Sequence, residues 1–137
     1  MQMPHSVRYA VEALVYLATC PPEAVVPPHV IARGRGVPTK YLLKVLYPLV
    51  GGGVVRSLKG PTGGYALAKP ADRITLLDVV RLVEPALSEP GAGHGAKLDP
   101  VLAEVTAEAA KALQGVLKRW TVADCLAGDG RAGRKKK

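Results

Sequence analysis

Apolar residues mark out the first element of this chain. Between His5 and Thr19, the residues Val7, Val11, Leu14, Val15 and Ala18 recur at steps of three and four, the spacing that places them on one face of an α-helix. Pro4 suits the first turn of that helix, and Pro21-Pro22 ends it. A second, shorter helix is predicted over 28–35, turning Val30 and Ile31 inward, with Gly34-Arg35-Gly36 as the tight break that follows. Pro38 and Thr39 open a third helix. Leu42, Val45, Leu46 and Leu49 share one of its faces, and Thr39, Lys40, Leu43, Lys44 and Tyr47 occupy the other.

After Gly51-Gly52-Gly53 the period changes. Residues 54–58 and 65–68 read as two short strands joined by Lys59-Gly60-Pro61-Thr62-Gly63-Gly64, a hairpin with a glycine-rich tip. Thr75 and Asp78 form a capping-box pattern that starts a fourth helix through Leu76, Val79, Val80 and Val83, with Pro85 as its stop. Residues 88–97 are rich in Gly, Ala and Pro and read as a mobile loop. A long helix is then predicted from about Asp99 to Trp120 or a little beyond, with apolar residues at 98, 102, 105, 109, 112, 116 and 120 drawing one stripe along it.

An isolated helix cannot bury such a stripe. It either packs back on its own domain or meets a second copy of itself, and the N-terminal elements already account for their own core, which favours a homodimer. Leu98, Leu102, Val105, Ala109, Leu113 and Val116 are the expected interface. The fold class is therefore mainly α with a small β-hairpin wing. A winged helix-turn-helix over 1–84 is followed by a flexible loop over 85–97, a dimerisation helix region over 98–127 and a disordered basic tail over 128–137.

Composition adds direction to this picture. The chain of 137 residues suffices for one sizeable core, and no apolar run approaches the ~20 residues of a membrane span. Arg8 and Glu12 interrupt the apolar stretch near the N-terminus, which argues against a signal peptide and for a cytoplasmic protein with no membrane partner. Residues 1–80 hold nine Lys/Arg against four Asp/Glu, residues 81–128 five against six, and the last nine residues five against one. The basic character thus lies in the N-terminal module and the tail, as expected of a protein that meets phosphate with one part and another subunit with the other.

Helices in this order before a hairpin place the third one in a DNA major groove. Thr39, Lys40, Tyr41 and Lys44, near its N-terminus, carry the donors and compact polar groups that base edges require, although a lysine on such a face can equally be merely solvated. Arg56 and Lys59 flank a tip formed by Thr62, Gly63, Gly64 and Tyr65 that is small enough to approach the sugar-phosphate backbone or the minor groove. The tip lacks the GxxxxGK[ST] order of a nucleotide-binding loop and joins two strands instead of opening a helix. Double-stranded DNA is the expected partner.

Taken together, Arg8-Tyr9-Ala10, Ile31-Ala32, Lys40-Tyr41-Leu42 and Gly60-Pro61-Thr62-Gly63-Gly64-Tyr65 resemble the Rrf2 family of bacterial regulators. The resemblance continues through Ile74-Thr75-Leu76-Leu77-Asp78-Val79-Val80, Leu98-Asp99-Pro100-Val101-Leu102 and Trp120-Thr121-Val122-Ala123-Asp124. It implies a homodimer joined through the long helix and paired winged modules on a partly palindromic operator. Many members of that family hold an iron-sulfur cluster on three closely spaced cysteines before the long helix. Here the segment from Glu84 to Leu98 has no cysteine and only His94, so a cluster-free regulator with no cofactor or metal is expected.

Cys20 and Cys125 are the candidate thiol sensors, with an inert buried thiol as the alternative for each; a small-molecule or protein effector is the other source of a signal. An enzyme is disfavoured, because no nucleophile-base set is apparent and His5, His29 and His94 lack ligand spacing. Glu104 and Glu108 read as a solvated helix face. The rival to a repressor is a dimeric interaction module that reuses the winged fold without specific DNA binding.

Overall fold

The computed structural model describes residues 2–89 and 99–127. In chain order the elements are α1 (His5–Thr19), α2 (Pro28–Arg35), α3 (Thr39–Gly51), β1 (Val55–Leu58), β2 (Gly64–Leu67), α4 (Leu76–Val83), α5 (Pro85–Ser88), α6 (Pro100–Arg119) and α7 (Val122–Ala127), with a 3-10 turn at Ala71–Arg73. Mostly helical, with one two-stranded antiparallel hairpin, this is the winged helix-turn-helix that the sequence pattern predicts.

The helix α1 runs through the centre of the molecule. Its Ala10, Ala13, Leu14 and Leu17 are buried against Ile31 of α2, Leu42, Leu46 and Leu49 of α3, and Val54 and Val55 at the start of the hairpin. Small alanines alternate with leucines here, which lets neighbouring helices approach closely. Pro4 caps α1 from outside instead of occupying its first turn. Gly36, at φ 67°, supplies the left-handed residue that ends α2 and turns the chain sharply into α3.

Val55, Arg56, Ser57 and Leu58 pair with Leu67, Ala66, Tyr65 and Gly64 respectively. The turn-side half of β2 gains a partner besides β1 that the sequence did not disclose. The Val26 and Tyr65 N–H groups each donate to the other's carbonyl, both at 2.8 Å, so the segment between α1 and α2 is hydrogen-bonded to the wing.

Three expectations about the C-terminal third need correction. Residues 85–88 are not loop but a short helix, because Pro85 is pre-set for a first helical turn and Leu87 packs into a cluster with Val7, Leu77, Val80 and Leu117. Beyond Glu89, the remainder of the expected loop, Leu98 and the basic tail lie outside the described residues. The long helix does not continue through Trp120. It stops at Arg119, Trp120 is extended, and α7 folds back onto α1. The Trp120 carbonyl accepts from the Leu76 N–H and the Val122 N–H donates to the Ile74 carbonyl, each at 2.9 Å, so the chain returning from α6 is stitched to the start of α4. Thr121 and Asp124 repeat at the head of α7 the reciprocal cap that Thr75 and Asp78 make at the head of α4.

The third correction concerns α6. Leu113 belongs to a face that seats on its own module: Ala110 and Leu117 are buried, and Leu113 packs against the Leu77–Val80 cluster. Gln114 fixes the same face by donating to the Ser88 carbonyl at 2.6 Å. The adjoining face carries Leu102, Val105, Ala109, Ala112 and Val116, all exposed in the single chain.

Candidate nucleic-acid interface

The helix α3 is held from behind. Leu42, Val45, Leu46 and Leu49 are buried against α1, which leaves Thr39, Lys40, Leu43, Lys44 and Tyr47 facing outward. Because the core face is so complete, the helix has one rotational setting, and its outer face is rigidly presented. This arrangement was fully legible from the 3.6-residue period.

Tyr41 is constrained on that outer face. Its ring stacks on Tyr9 of α1 at 6.0 Å between centroids, Tyr9 stacks on His5 at 5.9 Å, and the Lys44 ammonium lies 5.7 Å from the Tyr41 ring centre. Arg8 adds a further cation by donating to Nδ1 of His5 at 3.2 Å. The N-terminus of α1 thereby joins α3 in one surface, and Tyr41 serves to hold Lys44 as much as to present its own hydroxyl.

The wing supplies the other wall. Lys59 and Thr62 are exposed at its tip, where the Gly63 N–H donates to the Gly60 carbonyl at 2.9 Å and closes a turn over Pro61 and Thr62. Gly63 and Gly64 have a steric role of their own in the hairpin. A β-carbon on Gly63 would lie 2.2 Å from the Leu58 carbonyl oxygen, and one on Gly64 would lie 2.3 Å from the Val26 carbonyl oxygen. Both glycines are demanded by the packing of the hairpin itself, and Gly64 is buried. Tyr65 is half-buried and forms part of the groove floor. Arg56 projects from the face of β1 opposite Ser57; its guanidinium leans toward the Pro22 carbonyl at a long 3.5 Å, so it flanks the wing on the far side from α3.

Between α3 and the wing runs a groove of about 630 Å³, lined by Leu43, Tyr47 and Pro48 on one side and Ser57, Lys59 and Tyr65 on the other. It brings together Lys59 and Tyr65, which the sequence marked for DNA contact, with Ser57 and with Leu43 and Tyr47, which the sequence placed on the outer face of α3 without assigning them a contact. One sequence signal could have drawn attention to this whole surface: no acidic residue occurs between Glu23 and Asp72, a stretch that contains seven Lys/Arg. Of these, Arg35 is already neutralised by Glu12 at 2.5 Å, whereas Lys59 lines the groove and Lys40 and Lys44 are exposed on the outer face of α3.

The two thiols lie elsewhere. Cys20 closes α1 and donates to the Tyr16 carbonyl at 3.4 Å. Burial first, and the neighbouring Asp124 carboxylate second, raise the Cys125 thiol above its ordinary value of 9.0, which keeps it protonated and weakly nucleophilic at neutral pH.

A helix-turn-helix with an exposed second helix and a basic wing beside it defines the class of winged-helix DNA-binding transcription regulators. The profile of the Rrf2 family, described as an iron-dependent transcriptional regulator, matches residues 3–128. The chain belongs to the Rrf2 family. It is 33% identical over 133 residues to a protein named as an HTH-type transcriptional regulator in Mycobacterium tuberculosis, covering 93% of this chain and 83% of that one. Among solved structures it is similar to CymR, the global cysteine regulator of B. subtilis, with TM-score 0.71 and 26% identity over 93% of this chain and 97% of that one. It is also similar to IscR of T. potens, with TM-score 0.74 and 28% identity over 100% of this chain and 94% of that one. The family consists of regulators and not enzymes, in agreement with the absence of a catalytic set from the sequence motifs.

The family description raises the question of iron. The residues of this chain do not fit an iron-sulfur cluster, because its only thiols sit at the end of α1 and within α7, and 85–97 contains no cysteine. Among the described residues, no group of three or more His, Cys, Asp or Glu converges as a donor set. No described helix is long and apolar enough to cross a membrane.

Proposed function

We propose that the protein is a cluster-free homodimeric repressor that binds a partly palindromic operator, with α3 in the major groove and the wing against the adjacent backbone. The observation that carries this reading is the rigid outer face of α3 set beside an acid-free, lysine-flanked groove. Thr39, Lys40 and Lys44 are the base-edge candidates, Tyr41 positions Lys44, and Lys59, Thr62 and Arg56 serve the sugar-phosphate backbone. The exposed α6 stripe of Leu102, Val105, Ala109 and Val116 supports the pairing of two copies, since leaving such a surface in water would be unfavourable.

The test is selection of genomic fragments by the purified protein, followed by titration at two salt concentrations with the visible spectrum recorded. One enriched palindromic motif, bound with steep salt dependence by a colourless dimer, is the expected result. Weak, salt-insensitive binding to every duplex would sink the reading and leave a protein-interaction module. A cluster absorbance in anaerobically prepared protein would sink its cluster-free part.

A further inference from the structure

The outer face of α3 is more apolar than a surface designed only for phosphates. Leu43 and Tyr47 stand one turn apart on it with 43% and 84% of their surfaces exposed, and both line the groove toward the wing. Lys40 lies one turn before Leu43 on the same exposed side of the helix, and Lys59 lines the groove with it from the hairpin. An apolar side chain with a cation on either side of it suits an occupant that offers a greasy spot and negative charge within a few ångströms. A major-groove edge offers both: the thymine C5-methyl group is its distinctive apolar feature, and phosphates border it on each side. An apolar protein partner would meet the same Leu43 but would have to place carboxylates opposite Lys40 and Lys59.

We infer that Leu43 reads thymine by packing on its C5-methyl group, making it a specificity-determining residue in each operator half-site, with Tyr47 closing the groove-ward side of the same contact. The inference rests on the DNA-binding reading above and adds to it the identity of a base and the atom recognised. Leu43 makes no hydrogen bond and cannot discriminate by donors or acceptors. Its preference must come from burying a methyl group that cytosine lacks and that adenine and guanine replace with polar edges.

The experiment uses the full chain and the selected operator, with thymines replaced one position at a time by deoxyuridine, which removes only the methyl group. At one or two positions per half-site the wild-type protein should lose about fourfold in affinity, the effect of leaving one methyl unburied. Leu43→Ala should bind the normal operator about as weakly as the wild type binds the deoxyuridine version, and should ignore the replacement. Leu43→Met, which keeps an apolar tip, should retain most of the deoxyuridine penalty. Thermal melting checks that each variant folds, as an exposed position allows.

A motif bound with undiminished affinity after every thymine has been replaced overturns the inference alone, as does a Leu43→Ala protein that still senses the missing methyl. Failure to select any motif would instead overturn the DNA-binding reading, and this inference with it. Retention of the operator by Leu43→Ala at full strength would assign the apolar face to a protein partner.

Discussion

Gly64 occupies a place where any side chain would collide with the Val26 carbonyl, so its role is to let the α1–α2 connection hydrogen-bond to the wing. Gly64→Ala is expected to cost about 1–3 kcal/mol of stability, the range for forced overpacking, visible as a lowered melting temperature without any DNA present. Thr62→Ala, at the exposed turn tip, should leave melting unchanged. Equal melting of the two variants would return Gly64 to a DNA-contacting role. Cys125 is the second residue whose environment decides its chemistry. Its folded-state pKa is raised, so the neutral thiol contributes stability that is complete below 9.0 and is lost as the pH climbs through the higher folded value. Alkylation of Cys125 in the native protein should accordingly stay slow at neutral pH and accelerate only in the alkaline range. Mass spectrometry of protein quenched across that range measures it, and fast modification at neutral pH would revive Cys125 as a sensor. Glycines and thiols both look functional in a sequence because their special properties are intrinsic, whereas the neighbour that uses or suppresses them is remote: Val26 in one case, the α1–α7 packing in the other.

The helix α6 has two apolar faces with different duties. Ala110, Leu113 and Leu117 seat it on α4 and α5, and Leu102, Val105, Ala109 and Val116 are left over. Val105→Asp is expected to yield a folded monomer by light scattering, and with the pairing lost, the avidity of two half-sites disappears. Leu117→Asp should instead unfold or strongly destabilise the chain, because it buries a charge without a partner. A Val105→Asp dimer of normal size would move the interface elsewhere. The wing permits an equally separate test. Lys59→Ala should lower the salt slope of operator binding by about one per subunit while affecting random duplex in parallel, since the contact expected of it is with phosphate. The helix period announced the apolar stripe that α6 leaves exposed, yet it could not show that Leu113, expected at the interface, seats on the chain's own core with Ala110 and Leu117. Which of the two apolar strips is covered depends on where α5 and Gln114 anchor the helix.

At the scale of the whole molecule, α1 is the hub to which the recognition helix, the hairpin base, α4 and α7 are all fastened. The surface proposed to meet DNA therefore spans three separate stretches: the N-terminus of α1 through His5, Arg8 and Tyr9, the outer face of α3, and the tip of the wing. Tyr9→Leu should reduce operator affinity by releasing Tyr41 and with it Lys44, whereas Tyr9→Phe, which preserves the stack, should restore it; binding curves for the two variants at equal melting temperature decide the point. The sequence by itself determined the order of the first four helices and the hairpin, the buried face of α3, the capping box at Thr75 and Asp78, and the class of protein, because helix period, turn chemistry and caps act over a few neighbouring residues. Only the tertiary structure decided that 85–88 is helical, that the chain turns at Trp120 and returns as α7, that Gly63 and Gly64 serve the hairpin, and that Leu43 and Tyr47 share a groove with Lys59. Each of these depends on backbone groups or side chains brought together from distant positions, and a distant partner leaves no local period in the chain by which it could be read.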